Sequence, residues 1–159
     1  IARYSLSTIT LQYSEINLTR LLEQLVYEFQ PVLDQKSLTC RLATGDDILL
    51  NCDAGKMQRV FDNLLRNAVN YSYDGTEITI AAEQNEDSVR LKFSNRGGTI
   101  PREKLERIFE QFYRLDTGRG SSGAGLGLAI AKQIVTLHKG TITAESRDGL
   151  TVFTVVLPI

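Results

Sequence analysis

The chain has two cysteines in 159 residues, a single histidine, no apolar run of bilayer length, no block of lysine and arginine, and no internal repeat. Each shortage excludes something. Cys40 and Cys52 sit in short apolar runs, which suits buried free thiols in a reducing cytosol rather than a disulfide framework. A membrane-crossing helix needs roughly 20 apolar residues, and no signal-peptide pattern opens the chain. Lys+Arg 18 against Asp+Glu 19 leaves a formal net charge of -1, and basic residues are not interleaved with aromatics, so no nucleic-acid partner is expected. The length fits one domain able to bury a sizeable core. Because the first residue is Ile1 rather than Met, the chain is expected to be a piece of something larger.

What is present is a glycine-rich run that turns into a helix. In GAGLGLAIAKQIV, residues 123–135, Gly123, Gly125 and Gly127 leave backbone N–H groups uncovered, and Leu128, Ile130, Ala131, Ile134 and Val135 follow on one helical face. A loop feeding a helix N-terminus favours an anion such as phosphate. No Gly-Lys-Ser/Thr follows, so it is not a P-loop, and it opens the last helix rather than following the first strand, so it is not a dinucleotide fingerprint. A plain glycine hinge is the alternative.

Taken in order, residues 13–17 read as a strand, and Asn17 or Thr19 can cap a helix carrying Leu18, Leu21, Leu22, Leu25, Val26 and Phe29 on one face. Pro31 then implies a kink or a restart. Residues 38–42 and 48–52 read as two strands paired in a hairpin through Thr44-Gly45-Asp46-Asp47. Asp53 caps a strong helix running to about Ser72, whose flank carries Asn63, Asn67 and Asn70. Three asparagines within eight residues of a helix interior invite a functional reading, the alternative being a solvated face. Residues 77–83 and 89–93 form an antiparallel hairpin, followed by the turn NRGGTIP; Pro101 opens a short helix through Ile108. Phe109 and Phe112 are candidates for core packing or for an anchor, and residues 113–122 have the composition of a lid. Residues 140–145 and 151–157 close the chain as a hairpin.

An asparagine-bearing helix, an Asn-x-Gly turn after a strand, IFEQFYR, a polar stretch, then GxGLGL opening a helix: over residues 18–158 this order resembles the ATP-binding catalytic domain of sensor histidine kinases, of the fold shared with type II topoisomerase, Hsp90 and MutL ATPases. IARYSLSTITL and QFYRLDTGRG further resemble VanS-type sensors of vancomycin resistance. The resemblance implies an α+β fold, a two-layer α/β sandwich whose mixed, mostly antiparallel sheet is covered on one face by three helices. Residues 1–12 would be the tail of a dimerisation helix and linker, and residues 13–159 the ATP-binding catalytic domain.

The same resemblance implies ATP and Mg²⁺ as cofactors. Asn67 would ligate Mg²⁺, with Asn63, one turn before it, as a further candidate ligand; amide oxygens suit a hard cation whose other positions are filled by water and phosphate. Hydrolytic relatives hold a Glu at the position of Asn63. An amide cannot be a general base, so the domain is expected to present the γ-phosphoryl to a nucleophile from elsewhere. Tyr71 would flank the base or ribose, and Asn70 stands where many members have a Lys that touches phosphate. Asn95 matches an Asp that accepts a hydrogen bond from the adenine amino group; the motif reads NRGGT, with Gly97 in place and Thr99 replacing the second glycine. Without charge assistance that contact weakens by roughly 1 kcal/mol. Ile100 and Leu126 would line the base pocket, with Thr151 matching a late polar position. Phe109 and Phe112 would anchor the lid, and Arg114 would reach the triphosphate as a catalytic cation, a surface salt bridge being the alternative. Gly123 and Gly125 would hinge the lid, while amides near Leu126, Gly127 and Leu128 hold phosphate. His138 falls in LHKG, similar to a structural LHGG helix end, and is not expected to accept phosphate.

Expected partners are a histidine-bearing dimerisation domain of the same kinase and a response regulator; the parent would be homodimeric and the fragment monomeric. The fragment would be the cytoplasmic part of a bacterial cell-membrane sensor. Two rivals stand beside this reading: an anti-sigma-factor serine kinase of the same fold, and a nucleotide-sensing module without catalysis.

Overall fold

The structure, a computed structural model, describes residues 10–111 and 127–159. Its elements in order are β1 (Tyr13–Asn17), α1 (Leu18–Glu28), α2 (Gln30–Gln35), β2 (Thr39–Thr44), β3 (Leu49–Asp53), α3 (Ala54–Tyr71), β4 (Glu77–Gln84), β5 (Ser88–Arg96), α4 (Arg102–Leu105), α5 (Gly127–Leu137), β6 (Thr141–Arg147) and β7 (Leu150–Pro158). Asn17 caps α1, its Oδ1 accepting from Arg20 N at 3.1 Å. The helix restarts at Gln30 with Pro31 in the first turn, where a missing N–H costs nothing. α4 ends at Leu105, shorter than expected, although Ile108 beyond it is buried.

Five strands form one sheet in the order β2-β4-β5-β7-β6, parallel only between β2 and β4. The alternation in β5 sends Val89, Leu91, Phe93 and Asn95 inward and leaves Arg90, Lys92, Ser94 and Arg96 on the open face. Over the inner face, α1 packs on α3 and β2, α3 on β5 and α5, and α5 on β6. Phe61 of α3 stacks on Phe93 of β5 with centroids 6.1 Å apart, at the centre of a single core. The two-layer mixed sandwich expected from the sequence is what forms. Among the described residues, no helix is long and apolar enough to cross a membrane.

One pairing differs from expectation. β2 and β3 do not form a hairpin: β2 runs parallel to β4, and β3 pairs antiparallel with β1 in a separate two-stranded sheet. The start of α1 captures the connection instead. Leu18 N donates to Ile48 O at 2.7 Å, Ile48 N donates to Thr19 Oγ1 at 3.1 Å, and Thr19 Oγ1 donates to Asp46 O at 3.4 Å. Thr19 thus holds a loop rather than capping a helix. Cys40 and Cys52 are free thiols, as expected, although only Cys52 is buried and Cys40 is half-buried; burial, with Glu77 near Cys40 and Asp53 near Cys52, pushes both up to about 11.

Asp53 joins β1, β3 and α3. Its Oδ1 accepts from Lys56 N at 3.1 Å, the helix cap, and its Oδ2 accepts from Gln12 N at 2.9 Å. Burial works to raise its pKa, but these two N–H groups, with Lys56 and His138 adding to them, outweigh it and hold the carboxyl below the ordinary value of 3.8. A group depressed in the folded state stabilises fully above its unfolded pKa and loses that contribution as pH falls through the folded one. Acid unfolding of Asp53→Asn is therefore expected to be shallower below the ordinary aspartate value of 3.8 than that of the parent chain, with stability at pH 7 somewhat lower because the charge is gone while the amide can still cap α3. Denaturant titrations at pH 3 and pH 7 compare the two, and identical pH slopes would remove the carboxylate from the account.

Candidate functional site

α3 packs on β5 and on α5, and β7 lies beside β5; the stretch between the flank of α3, the β5 and β7 ends and the first turn of α5 is termed the groove. Met57, Val60, Phe61, Leu64, Leu65, Ala68 and Val69 face the core, which leaves the asparagines on the flank. Asn63 and Asn67 are half-buried and Asn70 is exposed. The Asn63 Nδ2 donates to Gly127 O at 3.0 Å, joining the asparagine helix to the first residue of α5. A carbonyl only accepts, so this bond fixes the amide orientation and turns the Asn63 oxygen away from Gly127. A Cβ on Gly127 would lie 3.7 Å from the Asn63 Cγ, an ordinary van der Waals contact, so this bond does not itself require glycine there. The half-buried Leu128 packs against the core behind it.

At the other end, α3 meets the turn after β5. Ser72 bridges to Gly97, and Tyr73 N donates to Arg96 O at 2.9 Å. A Cβ on Gly97 would stand 2.1 Å from Tyr71 O, so only glycine lets the strand approach the helix end this closely. Lys36, which no sequence pattern singled out, fastens this end: its Nζ donates to Val69 O and Ser72 O, both at 2.8 Å. A cation on the last carbonyls of a helix complements its dipole.

The floor carries two buried polar side chains in register, Asn95 on β5 and Thr151 on β7. Thr151 Oγ1 is 2.8 Å from Ser146 Oγ, which accepts from Ile100 N at 2.8 Å. Ser146 is the functional-site neighbour that sequence reasoning missed; nothing in the alternation of β6 distinguishes a strand serine that carries such a link. Thr99, a departure from the expected glycine, accepts from Gly149 N at 2.7 Å, and Gly97 N donates to Gly149 O at 2.9 Å. The turn carrying Gly97 and Ile100 is therefore tied to the β6–β7 connection. Phe109 meets Phe153 of β7 edge-on at 6.0 Å, with Lys132 Nζ 5.5 Å from its ring centroid, so it packs between the sheet and α5.

Asn63, Asn67, Asn70, Tyr71, Asn95, Gly97, Ile100, Gly127, Leu128 and Thr151 thus lie on α3, at the end of β5 and the turn after it, at the start of β7 and in the first turn of α5. Phe112, Arg114, Gly123, Gly125 and Leu126 lie outside the described residues. From Asn63 to Tyr71 is eight residues, a rise of about 12 Å, close to the reach of a nucleoside triphosphate from base to γ-phosphate. Among the described residues no three His, Cys, Asp or Glu side chains gather to hold a metal. The amide oxygens of Asn67 and Asn63 are instead the donor type that binds Mg²⁺ jointly with phosphate.

His138 lies apart from this groove. It is buried, its Nδ1 donates to Ile134 O at 2.8 Å, and its Nε2 accepts from Asp53 N at 3.1 Å. The ring's only lone pair is used, so it is not a nucleophile. Incubated with labelled ATP, the chain is expected to gain no phosphohistidine; stable label at His138 would overturn this. His138→Ala should cost about 1–3 kcal/mol by orphaning the Asp53 N–H, measured by denaturant unfolding.

Residues 52–159 match the family model described as histidine kinase-, DNA gyrase B-, and HSP90-like ATPase. The sensor protein VanSC of Enterococcus gallinarum is 45% identical over 99% of this chain and 44% of its own length. The sensor protein VanS of Enterococcus faecium is 46% identical over 99% of this chain and 41% of its own. The chain therefore spans less than half the length of these curated relatives. Among solved structures, the nucleotide-free catalytic domain of the histidine kinase ThkA superposes with a TM-score of 0.85 at 29% identity, covering 93% of this chain and 96% of that one. ThkA in complex with the response regulator protein TrrA gives 0.79 at 27% identity, covering 92% of this chain and 41% of that one. With the family model matched over most of its length, and with a fold like that of the catalytic domain of the histidine kinase ThkA, the chain belongs to the histidine kinase-, DNA gyrase B- and HSP90-like ATPases.

Proposed function

We propose that the groove binds Mg·ATP and that the domain passes the γ-phosphoryl to a histidine on a separate dimerisation domain of the same kinase, in vancomycin-resistance signalling of the VanS type. The observation that carries this reading is the Asn63 to Gly127 bond, which sets the asparagine helix against the start of α5 where amides favour phosphate. Asn67, one turn further on, would hold the metal, with Asn63 beside it. Bound Mg²⁺ neutralises charge on the phosphates. Asn70 and Tyr71 continue along the same wall, Asn95, Gly97, Ile100, Leu126 and Thr151 take the base, and Arg114 with the backbone at Gly123, Gly125, Gly127 and Leu128 takes the triphosphate.

An imidazole nitrogen of the acceptor attacks the γ-phosphorus; an N–P bond forms, the bond to the bridging oxygen breaks, and ADP leaves. An amide at position 63 cannot take a proton from water, which favours transfer to an imidazole over hydrolysis. Positioning and charge stabilisation account for the rate. We place residues 1–12 at the end of a dimerisation helix and residues 13–159 in the catalytic domain, on the cytoplasmic side of a membrane-anchored, homodimeric parent, with the fragment itself a monomer. A response regulator receives the phosphoryl group, a role supported by the ThkA complex.

A nucleotide-sensing module without transfer is the second reading, favoured by the neutral Asn70 and Asn95 where a charge was expected. Mixing the chain with an isolated histidine-bearing dimerisation domain and labelled ATP separates the two. Label on the dimerisation domain is the expected result; nucleotide binding without transfer would establish the sensor.

A further inference from the structure

Asn95 is 3% exposed, and among the described residues its side-chain amide has no hydrogen-bond partner. The hydroxyls around it are already committed: Thr151, its register partner, to Ser146, and Ser72 to Ala68 O at 2.6 Å. A buried amide left unpaired keeps the cost of its lost hydration, so a ligand that completes it recovers that loss. Its Nδ2 is 3.6 Å from the position a Cβ on Gly97 would take, and no acceptor there holds the amide in one of its two orientations.

We infer that the groove accepts 6-oxopurine nucleotides as well as 6-aminopurine ones, with Asn95 as the residue that sets this breadth. The inference rests on the reading that the base end of the groove is at Asn95. A carboxylate at that place accepts only, so it matches the N6–H of adenine and repels the O6 of hypoxanthine or guanine. An amide carries an acceptor on one side and donors on the other. In one orientation Oδ1 takes the N6–H of adenine while Nδ2 donates to N1. Rotated by half a turn, Nδ2 donates to O6 while Oδ1 takes the N1–H of a 6-oxopurine. Adenine and hypoxanthine differ only at this edge, so the pair isolates the contribution of Asn95 from shape and from the triphosphate.

Calorimetric titration of the chain with Mg·ATP and with Mg·ITP tests this. The two dissociation constants are expected to agree within about tenfold, whereas Asn95→Asp should raise the preference for ATP by at least tenfold, as sites built on a directed hydrogen bond do. A parent chain that already prefers ATP by more than about 100-fold would overturn the inference without any variant and leave the site reading standing. An unchanged ATP-to-ITP ratio in a folded Asn95→Asp, its fold checked by circular dichroism, would overturn it equally. Failure of both nucleotides to bind the parent chain would overturn the site reading, and this inference with it.

Discussion

Replacing Asn67 by alanine is expected to abolish Mg-dependent nucleotide binding while leaving the fold intact. The residue sits on the flank of α3, half-buried, one turn after the asparagine that is pinned to Gly127. The core stripe of that helix does not include it, and alanine is a better helix former than asparagine, so α3 loses nothing in propensity. What disappears is one hard oxygen. Partners that merely orient a metal ligand are worth 10–100-fold in affinity, so loss of the ligand itself should weaken binding by at least about 100-fold. The measurement is calorimetric titration with nucleotide in Mg²⁺ and in EDTA. The parent chain should lose affinity on chelation, and Asn67→Ala should be weak in both. An unchanged affinity in Mg²⁺ would move the metal site off this residue.

Gly97→Ala should be the most damaging single methyl in the described part of the groove. The added Cβ would lie 2.1 Å from Tyr71 O and 3.2 Å from Tyr71 C, and both are backbone atoms that cannot swing aside. The end of α3 must part from β5, against the Ser72 bridge and the Lys36 bonds that fasten it. A misfit of this kind costs about 1–3 kcal/mol, or a fall in Tm of about 2–4 °C per kcal/mol at this size. Because the same turn carries Ile100 and borders Asn95, nucleotide affinity should fall with it. Gly55→Ala serves as the control: its Cβ would meet only Asp53 Oδ1 at 3.9 Å, and it should stabilise α3 by about 0.5–1 kcal/mol. Equal thermal shifts for the two variants would refute the close-approach argument.

Local pattern alone determined most of the elements. The stripe from Met57 to Val69 fixes α3 and its buried face, Asp53 and Asn17 fix two helix starts, and alternation fixes β4 and β5 together with the face each turns to the core. The chemistry of the groove was legible for a similar reason. Asn63, Asn67 and Asn95 are neutral amides whatever the fold does with them, so an acceptor for a cation and the lack of a general base at position 63 follow from residue type.

Tertiary structure alone decided which partners these residues take. Local pattern says that residues 39–44 and 49–53 are extended, but it is silent on pairing, and Thr19 and Leu18 hold the intervening loop against the start of α1 in place of a hairpin. The Asn63 to Gly127 bond spans 64 residues, and the Ile100 to Ser146 bond spans 46. Lys36 reaches Val69 and Ser72 across 33 and 36. Contacts at such separations leave no periodic trace in the chain, since they depend on how the layers stack and not on how any one segment coils. The same holds for the unpartnered state of Asn95: its type was written in the sequence, whereas its isolation at the floor of the groove exists only once β5, β7 and the end of α3 have closed around it.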